Sequence, residues 1–174
     1  MKPLIVLLAV FGLSVITFKI IRGDYAFALA GRVAMSAMLL FSAIGHFAFT
    51  RGMSLMIPGF IPFKTGIVYL TGVIEILFAA GLLLPAYRVF TAWSLIVFLV
   101  LVLPANIYAA IKRVDYQKAT FTGSGLSYLW FRVPLQILFI AWTYLSCIRS
   151  YYSSELLPAF CVPCCYSINS LVIF

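Results

Sequence analysis

Long apolar runs alternate with short polar connections along most of this chain. Five runs stand out, at residues 3–20, 28–49, 66–84, 89–109 and 126–146. A helix needs roughly 20 mostly apolar residues to cross a bilayer, so each run has the length of a transmembrane helix, or nearly so. The pattern predicts an all-α integral membrane protein with five spans.

The first run could instead be a secretion signal, because it opens with "MK" and has an apolar centre. It ends in "TFKIIRGDY", however, which contains no cleavage site of the small-x-small type. We therefore expect a retained N-terminal helix, residues 1–24, in front of a four-helix membrane domain at residues 28–149.

Two segments do not fit the spanning pattern. Residues 50–66, "TRGMSLMIPGFIPFKTG", contain two prolines and two cations but also several large apolar side chains, which favours a segment lying at the membrane interface. The tail, residues 150–174, is apolar, but Pro158 and Pro163 interrupt it. It is too short for a sixth span, and a surface position and disorder both remain open.

Composition supports a membrane location. The chain is 65% hydrophobic and 9% charged, whereas about a quarter of the residues in a soluble domain are charged. The net charge of +8 comes from Lys and Arg at the ends of apolar runs. That placement favours contact with anionic lipid headgroups over nucleic acid binding.

The cations do not reveal the orientation of the chain. We call end A the end of the bundle with the N-terminus, segment 50–66 and the loop after the fourth run, and end B the opposite end. End A holds Lys2, Arg51, Lys64, Lys112, Arg113 and Lys118; end B holds Lys19, Arg22, Arg32, Arg88 and Arg149. Six cations against five leave the positive-inside rule undecided.

One carboxylate, Glu75, lies inside the apolar stretch "YLTGVIEILFAAGLLLP". A charge near the bilayer centre costs about 3 kcal/mol on insertion scales, so such residues face the bundle interior and find partners. Judged by depth, the partners are His46, Asn106 and Arg132, which lie on three other runs in the half of the bundle nearest end A. We therefore predict a polar cluster there, with segment 50–66 over its mouth.

The spacing of polar residues along the helices agrees with this cluster. Tyr128, Arg132 and Gln136 recur every four residues and so form one stripe. We name Glu75 and Arg132 as candidate catalytic residues. The candidate substrate-binding residues are His46, Asn106, Tyr128 and Gln136. The same cluster could also be purely structural, an Arg–Glu pair with amide neighbours that hold the helices in register.

Several classes of site are excluded or weak. His46 is the one histidine, which rules out bis-histidine haem ligation and a multi-histidine metal site within one chain. No phosphate-binding loop or nucleophile elbow is present. The tail motif "CVPCC", with Cys161, Cys164 and Cys165, contains a C-x-x-C pair. Without further context it indicates redox chemistry only weakly, and juxtamembrane cysteines can also be acylated.

The stretches "GHF", "MIPGFIP", "VYLTGVIEILFAAGLLLP", "LPANIY" and "LSYLWFRVPLQILFIAWTY" follow in this order, and together they resemble the DoxX-like membrane proteins. The resemblance implies a four-helix membrane core, here with an extra N-terminal helix, in a bacterial inner membrane. It also implies quinone-coupled or other membrane redox work, or a role in assembly. His46, Glu75, Asn106 and Arg132 fall on the recurring polar positions of that family.

Three functions follow as hypotheses. The first is a redox-associated membrane subunit whose polar pocket binds a quinone or a small polar substrate, with Glu75 relaying a proton and a partner protein supplying electrons. The second is a non-catalytic scaffold, chaperone or accessory subunit of a larger membrane complex. The third, passage of a solute through the bundle, ranks last because the polar residues gather in one half.

Overall fold

The computed structural model describes residues 2–59, 61–115, 117–121, 123 and 125–152, apart from the side chains of Lys2, Arg22, Leu126 and Tyr128. The helices are α1 (Lys2–Arg22), α2 (Phe27–Ala48), α3 (Thr50–Ser54), α4 (Lys64–Leu83), α5 (Arg88–Ile111) and α6 (Leu126–Thr143). A π-helical segment, Tyr144–Arg149, continues α6. The tail cysteines Cys161, Cys164 and Cys165 lie outside the described residues.

The five predicted long helices are confirmed. Each of the five is long and apolar enough to cross a membrane, and their ends differ from the apolar runs by a few residues. In the part of the chain that the structure describes, β-pairing amounts to one isolated bridge between Asp115 and Thr120. The helix ends have local causes: α4 begins after Phe63, whose φ of 54° breaks the regular chain path, and it ends just before Pro85.

Helix α2 is the centre of the bundle, and it packs against α1 on one side and α4 on the other. Small residues allow these close contacts. A Cβ built on Gly72 of α4 would lie 3.0 Å from the Cβ of His46 on α2. A Cβ built on Gly31 of α2 would lie 2.9 Å from the Cβ of Ser146 in the π-helical segment. Helices therefore meet almost backbone to backbone at both ends of α2.

The core is apolar and runs along the inner faces of the long helices. It comprises Leu7, Ala34, Met35, Met38, Leu39, Ala79, Leu82, Ala92, Leu95, Leu135, Phe139, Cys147 and Ile148. The outer faces are apolar as well: Trp130 is 84% exposed and Phe90 75% exposed. A protein that shows large apolar side chains both inside and outside has the surface expected of a bundle surrounded by lipid.

Candidate ligand-binding cavity

The carboxylate of Glu75 is buried at the interface of α4 and α2. Only 7% of Glu75 is exposed. The Ser42 hydroxyl donates a hydrogen bond to Oε1 of Glu75 over 3.3 Å, and Nε2 of His46 lies 3.4 Å from the same oxygen. Ser42 and His46 are one turn apart on α2, so a single face of that helix provides both contacts.

His46 is held from its other side by Thr71 of α4. The Thr71 hydroxyl lies 3.1 Å from Nδ1 of His46 and donates a hydrogen bond to the carbonyl of Val68 over 2.8 Å. A hydroxyl has one proton. If that proton goes to Val68, then Nδ1 must donate its own proton to Thr71. Nε2 and Oε1 of Glu75 are then left to share one further proton, as a neutral pair or as an ion pair.

Two buried oxygens of this region have no hydrogen-bond partner among the described residues. They are Oε2 of Glu75 and Oε1 of Gln136. Gln136 on α6 is 9% exposed. Buried polar atoms nearly always have partners, and an exception calls for an explanation such as a ligand. Both oxygens are hydrogen-bond acceptors when Glu75 is ionised, so the missing partner is a donor.

Glu75 and Gln136 line one cavity of about 560 Å³ at end A. This volume lies within the range of roughly 300–1,000 Å³ that is usual for small-molecule sites. The wall is mostly apolar, and all the long helices contribute to it, with Pro3 coming from α1. The segment after α2 closes one side, where Met53, Met56, Ile57, Pro58 and Ile61 line the cavity. The predicted position of segment 50–66 over the polar cluster agrees with this arrangement.

The residues predicted for the site come together. Five of the six line this cavity: Glu75, Arg132, His46, Asn106 and Gln136. The side chain of Tyr128, the sixth, lies outside the described residues. His46 and Ser42 on α2 contact Glu75, and Arg132 lines the same cavity from α6.

Gln136 also ties α6 to α5 beside a proline. Pro104 has no N–H to donate to the carbonyl of Val100, four residues earlier. The amide Nε2 of Gln136 donates a hydrogen bond to the carbonyl of Leu99, the residue before Val100. A side chain of α6 is thus joined to the backbone of α5 close to the proline.

Thr71 and Pro3 are cavity residues that the sequence did not identify. Thr71 carries a signal that could have been used, because it lies four residues before Glu75 and so on the same face of α4. Pro3 carries none, since it is one apolar residue at the start of a long apolar helix.

Across the described part of the chain, no three His, Cys, Asp or Glu side chains lie together in a way that could hold a metal ion.

A family model matches residues 35–147, well over half of the chain, and is described as a domain of unknown function, DUF8561. The chain belongs to this family. The matched region includes His46, Glu75, Asn106, Arg132 and Gln136, so the polar part of the cavity lies within the family domain, whereas α1 precedes it. No curated protein and no solved structure matches this chain.

Proposed function

We propose that this chain is an integral protein of the bacterial inner membrane and a redox-associated subunit whose end-A cavity binds a small amphipathic molecule of the quinone class. The observation that supports this most is the buried Oε2 of Glu75, which has no partner among the described residues. Leaving a buried polar group unsatisfied costs about 1–3 kcal/mol. A ligand hydroxyl at Oε2 would remove that cost.

The residues of the cavity fit such a ligand. A quinone headgroup has two carbonyl oxygens when oxidised and two hydroxyls when reduced. Arg132 and Asn106 provide N–H donors for carbonyl oxygens, while Glu75 and Gln136 provide oxygens that accept from hydroxyls. The remaining wall, which includes Met53, suits an apolar ring and tail, because methionine side chains adapt to irregular shapes.

When bound, a quinone supplies the transfer of electrons together with protons. The chain's own residues would manage the protons. Glu75 holds or accepts a proton at Oε2, and its other oxygen faces Nε2 of His46, which passes a proton on or receives one. Thr71 orients the imidazole through Nδ1. Arg132 and Asn106 would orient the headgroup, and a partner protein would supply or take up the electrons.

The binding step can be tested with a decyl-substituted benzoquinone in its oxidised and reduced forms. The purified chain in a non-ionic detergent is titrated with each form, and tryptophan fluorescence reports binding. We expect Glu75→Gln to weaken binding of the reduced form at least about tenfold, since a charge-assisted hydrogen bond is lost. The matched control is Asp24→Asn, which alters an exposed acid at end B. Equal affinities of wild type and Glu75→Gln for both forms would refute the proposal.

A second candidate, a non-catalytic scaffold or accessory subunit, has one observation in its favour. The polar contacts each join two helices: Ser42 and His46 link α2 to Glu75 on α4, and Gln136 links α6 to Leu99 on α5. Such contacts would hold the bundle together without any ligand. The two candidates differ in one respect, because a scaffold does not need the unpartnered oxygens of Glu75 and Gln136.

A further inference from the structure

A second polar cluster lies at end B, remote from the cavity. Arg32 is on α2, and Arg88 is the first residue of α5. Gly31, the neighbour of Arg32, packs against Ser146 of the π-helical segment, and the Arg88 guanidinium lies over Tyr151 just after that segment. The two cations are therefore near enough to interact. Two like charges, both on partly exposed side chains, therefore lie in the same region of end B.

Within the residues that the structure describes, neither of these two cations has an acidic partner. Among the described residues, the one contact within 4.0 Å between a basic group and a carboxylate is the His46–Glu75 pair at end A. Nε of Arg32 makes a long hydrogen bond, 3.4 Å, to the carbonyl of Ala28. Nε of Arg88 is buried, and no described residue makes a hydrogen bond to it. Neighbouring like charges without a counterion repel one another, so the cluster would be stabilised by a bound anion.

The setting of Arg88 favours an anion further. Its guanidinium lies over the ring of Tyr151, with 4.9 Å between Cζ and the ring centroid, which restricts the orientation of the guanidinium. The first turn of α5 contains no acidic residue, and its N-cap residue, Tyr87, makes no side-chain capping bond. The backbone N–H groups of that turn add partial positive charge beside the guanidinium.

The depth of the cluster matches lipid phosphate. Arg32 lies five residues beyond the start of α2, which is roughly 8 Å along the helix axis. Arg88 lies at the very start of α5. In a bundle that spans a bilayer, these positions fall between the hydrocarbon region and the aqueous surface, where the phosphates of phospholipids lie.

We infer that Arg32 and Arg88 together form a binding site for a phosphate group, with two guanidinium forks donating to its oxygens. Guanidinium groups bind phosphate in a bidentate manner, and this geometry gives both strength and specificity. The phosphate belongs either to a phospholipid headgroup or to a small soluble anion, and the chemistry of recognition is the same for both. Nothing at end A enters this inference, so it does not depend on the proposed function.

The site can be tested by thermal unfolding of the delipidated chain in a non-ionic detergent, followed by tryptophan fluorescence. The probes are dioctanoyl phosphatidylglycerol, inorganic phosphate and dioctanoylglycerol, which lacks a phosphate. We expect phosphatidylglycerol to raise the Tm of the wild type and dioctanoylglycerol to leave it unchanged. An equal rise with inorganic phosphate would identify a soluble anion as a sufficient ligand. Equal stabilisation by dioctanoylglycerol would overturn the site.

Substitutions of single arginines test whether Arg32 and Arg88 bind the phosphatidylglycerol. Arg88→Gln and Arg32→Gln should each weaken the apparent affinity for phosphatidylglycerol at least about tenfold, because each removes one guanidinium group from the site. Arg149→Gln is the matched control, since Arg149 is an exposed arginine at the same end. If Arg149→Gln weakens binding as much as Arg88→Gln does, the lipid is held by general surface charge and the inference is wrong.

A further comparison keeps the test decisive if Arg88→Gln does not fold. Arg88→Lys retains the charge but not the planar fork, so its affinity should fall between those of wild type and Arg32→Gln. Without any anion present, Arg32→Gln should unfold at the same temperature as wild type or at a higher one, because it removes the repulsion between Arg32 and Arg88. A Tm for Arg32→Gln that is lower by the same amount with and without phosphatidylglycerol would contradict the site.

Discussion

The two ends of this bundle contain polar groups of opposite character. Among the described residues, the buried side-chain atoms without hydrogen-bond partners are Oε2 of Glu75 and Oε1 of Gln136 at end A and Nε of Arg88 at end B, together with the Ser36 hydroxyl oxygen within α2. Under our two proposals, end A binds a ligand that donates hydrogen bonds, and end B binds one that accepts them. On this account the two polar clusters have different chemical roles and do not merely hold the helices together.

The clusters also differ in how the protein supports them. Glu75 is held by side chains, with Ser42 and His46 in contact and Thr71 behind His46. The arginines at end B have weaker support from the protein, a backbone carbonyl for Arg32 and an aromatic ring for Arg88. Changes at end A should therefore alter stability even without a ligand, while changes at end B should act mainly through the bound anion.

The largest effect on stability is expected at the His46–Glu75 pair. His46→Leu should destabilise the chain by about 3 kcal/mol, because it leaves Glu75 buried with one fewer partner. The double variant His46→Leu with Glu75→Leu should recover a large part of that loss, as replacement of a buried pair by apolar residues often does. Chemical denaturation in detergent micelles measures the cycle. A double variant no more stable than His46→Leu would show that the two residues are not coupled.

Ligand responses should separate the two ends. Glu75→Gln should lose about 1.5–3 kcal/mol of binding free energy for the reduced decyl quinone, the value of a hydrogen bond to a charged group. The same variant should keep the full stabilisation by phosphatidylglycerol. Arg88→Gln should lose most of that stabilisation but bind the reduced decyl quinone as wild type does. Both ligands are titrated against both variants. If one substitution impaired both responses, the two clusters would form a single coupled site.

Helix spacing at end A provides a smaller test. Gly72→Ala should cost about 1–2 kcal/mol, because the new methyl group would meet the rigid Cβ of His46 and the ring of Phe47 and push α2 from α4. Gly12→Ala is the matched control, since a Cβ there meets nothing within 4 Å. Alanine at that position should be neutral or slightly stabilising. Equal Tm shifts for the two variants would mean that the α2–α4 contact is not tight.

The smallest expected effect is at Thr71, which positions His46. Thr71→Val should destabilise the chain by about 1 kcal/mol and weaken binding of the reduced decyl quinone only modestly. In this variant the His46 imidazole still contacts Glu75 but no longer has the hydrogen bond to the Thr71 hydroxyl. Thr71→Ser should restore both, since it returns the hydroxyl. Thr17→Val is the control, because the Thr17 hydroxyl also bonds to a carbonyl in its own helix but is exposed on α1. Failure of Thr71→Ser to restore binding would remove Thr71 from the site.

The sequence predicted the helices well, because the length of an apolar run is a property of the run alone. It also predicted which polar residues meet, since depth along antiparallel helices brings His46, Asn106, Arg132 and Gln136 to the level of Glu75. The direct partner of Glu75 was harder to predict. Depth does not give the rotation of a helix about its axis, and the rotation of α2 and α4 is what places His46 3.4 Å from Glu75.

The cluster at end B was not predicted at all. Arg32 and Arg88 lie near the ends of apolar runs, where cations commonly flank the membrane, so neither is unusual by itself. Only the packing of α2 and α5 against the π-helical segment reveals that they lie near one another. The resemblance to DoxX-like proteins and the redox role stay predictions, as does the location in a bacterial inner membrane.

The most direct test of the central claim is native mass spectrometry of the chain, extracted in mild detergent from a membrane that contains quinones. Our account predicts that wild type retains a mass of quinone size and that Glu75→Gln loses it while still carrying phospholipid. Wild type that carries phospholipid alone, with the same adducts as Glu75→Gln, would contradict the ligand-binding role of the cavity. The polar cluster at end A would then be structural, and the scaffold function would take its place.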